Sequence, residues 1–346
     1  MKKFLHHIIF FINSIIILSL FSSLISPFIN PNLFWPISFF GLFFPIIISL
    51  SIILTVFWYF YNRKYIWINI IFLFVSIPFL TRYIAYNNDN FFEKNGIKVM
   101  SYNVRLFNKW GWIEEDNIKQ ESINFINNQD LDIICIQEYY NPNNDLELNF
   151  KYSHIGIQKR KEDWHMAIYS KYPQINKKTV NIDGARMNNS CIYSDIVVND
   201  DTIRVYNIHL ASNFFQKKDL DYIISAEKEK VKSGVLGIGK KLKYSFERRG
   251  REVSQIKDHI KNSPYPIIIC GDFNDTPVSY AYQQLGYNMK DAFIESGKGI
   301  GASFIKIPTL RIDYIFLDKK FRSYNFTTHG QKFSDHRAIS CSIILD

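Results

Sequence analysis

Asp272 and Asn274 stand two positions apart, just past the apolar run Pro266-Ile267-Ile268-Ile269-Cys270-Gly271. Such a run reads as a strand buried on both faces. Residues two apart in an extended chain share a face, so the carboxylate and the carboxamide would project together from the strand's carboxyl end. That is where open α/β sheets bind ligands. A hairpin turn rich in Asp, Asn and Gly is the competing reading of the same residues.

Other strand-like segments end in groups of the same kind. Ile97–Tyr102 runs into Asn103, and Asp132–Ile136 into Gln137 and Glu138. Ile203–Ile208 passes Asn207 and reaches His209, Arg311–Phe316 carries Asp313, and Phe333-Ser334-Asp335-His336 precedes the last strand. Each has a plainer explanation: Glu138 as a solvated cap, His209 as a core histidine, Asp313 as the partner of Arg311. Their joint recurrence at strand ends points to phosphoryl chemistry. Magnesium takes oxygen ligands and needs only one or two carboxylates. Glu138 suits that task, with Asn103 and Asp335 beside it, and manganese is a possible substitute. A bound cation polarises phosphoryl oxygens. Asp272 would orient or deprotonate the attacking water and Asn274 would fix its geometry. His336 would donate to the developing charge, kept protonated by Asp313, with His209 acting from the opposite side. Asn207 and Arg105 are the candidates for substrate contact.

These groups need a frame to position them. Strand patterns at 97–103, 132–137, 166–170, 192–198, 202–210, 266–270, 311–317 and 338–345 alternate with helical patterns at 117–127, 217–232, 244–261 and 279–285. The expectation is a mixed α/β domain over residues 91–346, with two sheets packed face to face and helices outside. Cys135, Cys191, Cys270 and Cys341 sit in apolar contexts with no metal spacing and read as buried free thiols. Gly234–Lys240 imitates a phosphate-binding loop, but Lys241 replaces its Ser or Thr and no buried strand precedes it. The cations between Lys240 and Arg251 read as a solvated helix face or, alternatively, a patch for phosphate backbones or anionic headgroups.

The first 90 residues differ in kind. They hold five of the chain's 41 basic side chains and one of its 32 acids, leaving a modest +5 on the remainder, too little to argue for a polyanion partner. Three apolar stretches, 8–26, 37–60 and 66–83, are candidate membrane spans. Asn69, Ser76 and Pro78 interrupt the third. Lys2-Lys3 before a short apolar segment also fits a cleaved signal peptide. Lys2-Lys3 and Arg63-Lys64 flank an uncharged connection, placing both basic pairs in the cytoplasm. A third span would carry the large domain to the extracytoplasmic side; without it the domain lies in the cytoplasm.

Ser101-Tyr102-Asn103-Val104, Gln137-Glu138, Asn207-Ile208-His209-Leu210, Gly271-Asp272-Phe273-Asn274, Arg311-Ile312-Asp313-Tyr314 and Ser334-Asp335-His336 together resemble the ordered motifs of the endonuclease/exonuclease/phosphatase superfamily. The resemblance implies an α/β fold, a four-layer α/β sandwich of two packed mixed β-sheets flanked by helices, here preceded by an N-terminal transmembrane helical region. It implies magnesium-dependent cleavage of phosphate esters by Asn103, Glu138, His209, Asp272, Asn274, Asp313, Asp335 and His336. Abasic-site endonucleases usually carry an acid where Arg105 stands, which argues against DNA-repair specificity. The expected substrate is a phosphodiester, nucleic acid first and phospholipid or sphingolipid headgroup as the alternative. The expected partner of residues 1–90 is the lipid bilayer; no obligate protein partner is inferred.

Overall fold

A computed structural model of the chain describes residues 2–87, 96–142, 146–156, 165–183, 190–213, 228–307 and 309–345. They form two compact units. One comprises Tyr83–Ala211, Glu252–Asn274 and Leu285–Asp346; the other comprises Met1–Arg82, Ser212–Arg251 and Asp275–Gln284.

The first unit is the α/β sandwich. Its strands, numbered in chain order, are β1 (Ile84–Tyr86), β2 (Ile97–Asn103), β3 (Ile133–Tyr139), β4 (Tyr152–Gly156), β5 (His165–Ser170), β6 (Gln174–Thr179), β7 (Ser190–Val198), β8 (Asp201–His209), β9 (Ile267–Asp272), β10 (Met289–Asp291), β11 (Lys298–Ile300), β12 (Asp313–Asp318), β13 (Phe321–Thr328) and β14 (Ile339–Leu345). One six-stranded sheet has the order β13-β14-β2-β3-β5-β4 and the other β10-β12-β9-β8-β7-β6; β1 and β11 form a separate pair. Both large sheets are mixed, because β2 runs parallel to β3 and β8 parallel to β9.

Alternation along the strands explains the layers. Val99, Ile133, Cys135 and Ile168 of one sheet meet Ile192, Val205, Ile268, Cys270 and Ile315 of the other in a single buried cluster. Met100, Tyr102, Ile134 and Ile136 point the opposite way and pack with Phe125 and Ile126 of the helix Ile118–Asn127. On the far face, Tyr193 and Tyr206 contact the His259 ring, and the Tyr206 hydroxyl lies 3.0 Å from His259 Nδ1. The four layers are therefore helix, sheet, sheet and helix. All four cysteines are buried and free.

The second unit is helical. Three of its helices are long and apolar enough to cross a membrane: Lys3–Phe28, Phe44–Tyr61 and Arg63–Leu80. The stretch expected as one span over 37–60 is split into Ile37–Leu42 and Phe44–Tyr61, because Pro45 opens the second helix, where its missing N–H costs least. The third helix is continuous despite its polar residues. Asn69 and Ser76 turn inward and donate to the Tyr65 and Phe72 carbonyls one turn earlier, and Pro78 falls in the last turn.

Two later segments also belong to this unit, Ser212–Arg251 and Asp275–Gln284, although the sequence pattern places them in the domain over 91–346. Ser26 Oγ donates to the Val278 carbonyl, Thr276 Oγ1 to the Gly41 carbonyl, and Arg82 to the Pro277 carbonyl and Gln283. Phe39 packs edge-on against Phe246, and Arg251 reaches Asn32 at 2.9 Å. The helix Lys228–Ile260 runs unbroken through the glycines at 234, 237 and 239, where separate helices were expected. The beginning of the expected 217–232 helix lies outside the described residues. The basic stretch 240–251 is neither wholly a solvated face nor wholly an anion patch. Arg248 and Arg249 are buried, and Arg249 pairs with Asp275 at 3.0 Å.

Candidate active site

Strand register brings the reactive groups together. The parallel β8–β9 pair sets His209 opposite Asp272, and the antiparallel β12–β9 pair sets Asp313 opposite Asp272. Gly271 permits this approach: a Cβ there would strike the backbone carbonyl of Ile208. Beyond Asp272 the chain does not stay extended. Asn274 takes a left-handed φ of 51°, its backbone N–H donates to Asp272 Oδ1 at 2.8 Å, and its Nδ2 reaches Asp272 Oδ2 at 3.2 Å and the Leu210 carbonyl at 3.1 Å. The side chains meet through a turn, not through strand alternation, so both competing readings of this segment hold part of the answer.

The facing sheet supplies the other half. Asn103 Nδ2 donates to Asp272 Oδ2 at 3.0 Å. Glu138 has φ 50° beside a register shift between β3 and β5, a bulge that re-aims its carboxylate. His209 Nε2 sits 3.6 Å from both Glu138 Oε1 and Asp272 Oδ2. His336 Nδ1 lies 3.0 Å from Asp313 Oδ2 and its Nε2 3.6 Å from Asp272 Oδ2. Arg311 pairs with Asp291 at 2.7 Å, and Asp313 meets the His336 imidazole. Asp335 is approached by Arg105 Nε at 3.3 Å and Lys306 Nζ at 3.7 Å. Arg105, Glu138 and Asn274 all hold left-handed backbone, at about 1–3 kcal/mol each.

Burial pushes the Glu138 carboxyl up to about 8; Asp335 and Asp272 add to the rise, while His336 and the Asn103 amide oppose it. Burial also raises Asp272, with Asp313 adding and the two imidazoles opposing. Burial disfavours the His336 cation, yet Asp313 and Asp272 outweigh it and hold the ring up to about 10. Four acids, Glu138, Asp272, Asp313 and Asp335, thus crowd one spot at which Glu138 keeps 16% of its side chain accessible. A divalent cation would relieve that excess, and the oxygen-rich donor set of Glu138, Asp335 and the Asn103 amide suits a hard ion. Asp272, Asp313 and His336 form the tightest three-ligand grouping, within 4.8 Å. Within it, His336 Nδ1 is hydrogen-bonded to Asp313, while its Nε2 stands 3.6 Å from Asp272.

Asn207, expected to touch substrate, is fully buried. Its Nδ2 donates to the Ile136 and Ala167 carbonyls, and its Oδ1 accepts from Gln137 Nε2 at 2.7 Å. Three supporting roles escape sequence reasoning, which reads Ser334 only as part of its motif. Ser334 donates to the Asn103 carbonyl and accepts from the His336 N–H. Ser303 accepts from the N–H groups of Ile312 and Asp313. Lys306 faces Asp335 from a segment without motif character.

A sandwich of two mixed sheets with this constellation at its strand ends defines a class of phosphoester hydrolases. Residues 100–336 match the profile described as the endonuclease/exonuclease/phosphatase family, and the chain belongs to that family; it is a hydrolase acting on phosphate ester bonds. Residues 6–83 match a profile described as a domain of unknown function. No curated protein matches the chain significantly. Among solved structures, an endonuclease/exonuclease/phosphatase family protein from Bacteroides thetaiotaomicron is 16% identical, covering 74% of this chain and 100% of that one, with a TM-score of 0.55. D. rerio TDP2 complexed with single-strand DNA product is 14% identical over 72% of this chain and 100% of that one, TM-score 0.54. A mannosyl-6-phosphatase from Bacteroides thetaiotaomicron is 16% identical over 72% and 100%, TM-score 0.50.

Proposed function

We propose that this chain is a membrane-anchored, magnesium-dependent phosphodiesterase of nuclease type, hydrolysing its substrate by in-line attack of water. The observation that carries the reading is Asp272, held by Asn103 and Asn274, standing between two imidazoles and beside the crowded Glu138.

Glu138, Asp335 and Asn103 would hold the ion, which when bound supplies Lewis acidity toward the phosphoryl oxygens. The rest is the work of the chain's own groups. Asp272, a raised carboxyl, is a suitable acceptor for the proton of the attacking water, and Asn274 orients that water. His336, cationic through Asp313, donates to the phosphoryl oxygen where negative charge grows. His209 does the same from the Glu138 side, and Arg105 and Lys306 draw the anionic ester toward Asp335. Asn207 is reassigned from substrate contact to a tie that fixes Gln137, and with it the neighbouring Glu138.

A nucleic-acid substrate is supported by the DNA product bound to D. rerio TDP2. The alternative, a phospholipid or sphingolipid headgroup, is favoured by one observation. The three apolar helices are long enough to hold the chain at a bilayer. Contacts within the helical unit support the topology. The connection after the first helix and Arg82 at the end of the third share partners in the segment Asp275–Gln284, so those two ends lie together. Lys2-Lys3 and Arg63-Lys64 then face the cytoplasm, and everything after Arg82 lies outside. Full-length protein in detergent with magnesium should cleave single-stranded DNA or RNA; release of phosphorylated headgroup from liposomes without nucleic-acid cleavage would replace this reading with the lipid one.

A further inference from the structure

Directly after Asn103 and Val104, the residues Arg105, Leu106, Phe107 and Asn108 all take φ between 46° and 60°, a left-handed run that side chains resist. Leu106 and Phe107 are buried and anchor it. Asn108 then closes the following loop. Its Nδ2 donates to the Ile113 carbonyl at 2.8 Å, its Oδ1 accepts from the Ile113 N–H at 3.0 Å, and its own carbonyl accepts from the Gly111 N–H at 2.9 Å. The clasp is pinned, yet it holds two indoles toward solvent: Trp110 is 58% exposed and Trp112 38%.

Cations interleave with these rings. The Arg105 guanidinium lies 4.3 Å over Trp112 while its Nε faces Asp335 at 3.3 Å. Lys109 Nζ stands 4.7 Å from the Trp110 ring and 3.9 Å from that of Tyr140, two residues past Glu138. The aromatic surface therefore begins at the two strand ends that carry Asn103 and Glu138. Aromatic faces alternating with Lys and Arg beside a phosphate site fit unpaired bases, which stack without regard to sequence. Glu114, Glu115 and Asp116 follow on the exposed side; they repel both an extended phosphate backbone and an anionic bilayer, limiting the footprint to about one base.

We infer that Trp110, Trp112 and Tyr140 form a subsite that stacks an unpaired base next to the scissile phosphate, which rests on the phosphodiesterase reading and makes the substrate a nucleotide-bearing ester. The test is equilibrium binding of fluorescein-labelled tetrathymidylate, and of the same oligomer with base-free tetrahydrofuran sugars, to full-length protein in detergent with EDTA. Wild type should bind the base-bearing oligomer about tenfold more tightly. Trp110→Ala/Trp112→Ala should bring the two affinities together, and Trp110→Phe/Trp112→Phe should keep most of the difference. Equal binding of both oligomers by wild type, or a preference that survives the alanine pair, overturns the inference. So does quenching by brominated phosphatidylcholine vesicles that disappears in the phenylalanine pair, because the clasp would then sit in lipid. Hydrolysis of the base-free oligomer by wild type with magnesium reports separately on the phosphodiesterase reading, so the two can fail independently.

Discussion

The helical unit and the sandwich treat buried polar side chains in opposite ways. Asn69 and Ser76 in the third apolar helix return their hydrogen bonds to the same helix one turn earlier, which asks nothing of a neighbour. In the sandwich, Asn103 crosses from one sheet to Asp272 in the other, and Asn207 crosses to carbonyls of β3 and β5. A polar group satisfied locally is replaceable, whereas one satisfied across layers fixes the relative placement of two sheets and of whatever stands at their ends. The helical unit has exceptions in Ser26, in Thr276 and in the Arg249–Asp275 pair, all buried and bonded to distant segments.

The contrast can be broken most forcefully at the site. Asp272→Asn should lower kcat by about 10²–10⁴-fold and lower the melting temperature slightly, because one acceptor facing the Asn103 and Asn274 amides becomes a donor. A variant with undiminished turnover would show that Asp272 is not the proton acceptor. Asp275→Ala tests the strongest of these: it removes a carboxylate 3.0 Å from the buried Arg249, at up to about 3–5 kcal/mol, read by denaturant unfolding. A change below 1 kcal/mol would mean that water or another group takes over Arg249.

Two pH predictions sharpen the electrostatics. Folding favours protonated His336, so that contribution is complete below about pH 6.5 and fades as pH rises through about 10. Asp313→Asn should therefore draw the alkaline limb of the activity profile down toward neutrality, and an unmoved limb would separate Asp313 from His336. Glu138 must lose its proton to hold a cation, so magnesium affinity measured by calorimetry should climb by about tenfold per pH unit up to about 8 and then level. Asn69→Leu should be the mildest change, within about 1 kcal/mol, because its only described hydrogen bond stays inside its own helix; a larger loss would reveal a partner on a neighbouring helix.

Sequence made the strand-end groups legible because each motif pairs a buried apolar run with a polar break. It did not disclose how they converge. Glu138 and Asn274 turn through left-handed backbone, which Gly would announce and Glu does not. Asn207 is ambiguous in sequence because an amide on a fully buried strand looks the same whether it meets ligand or carbonyls. Lys306 had no motif around it. β6, from Gln174 to Thr179, is an edge strand with few buried residues and carries no apolar alternation. The amphipathic pattern over 244–261 was visible, but a stripe of apolar residues does not name the surface that covers it, so the membership of Ser212–Arg251 in the helical unit could not be read.

The most direct measurement is metal removal from purified full-length protein, followed by phosphodiester hydrolysis in wild type and Glu138→Gln. The account predicts loss of activity in EDTA, recovery on adding magnesium, and little recovery in the variant at the same magnesium concentration. Activity that persists through EDTA, or a variant restored as fully as wild type, would contradict a divalent ion held at Glu138.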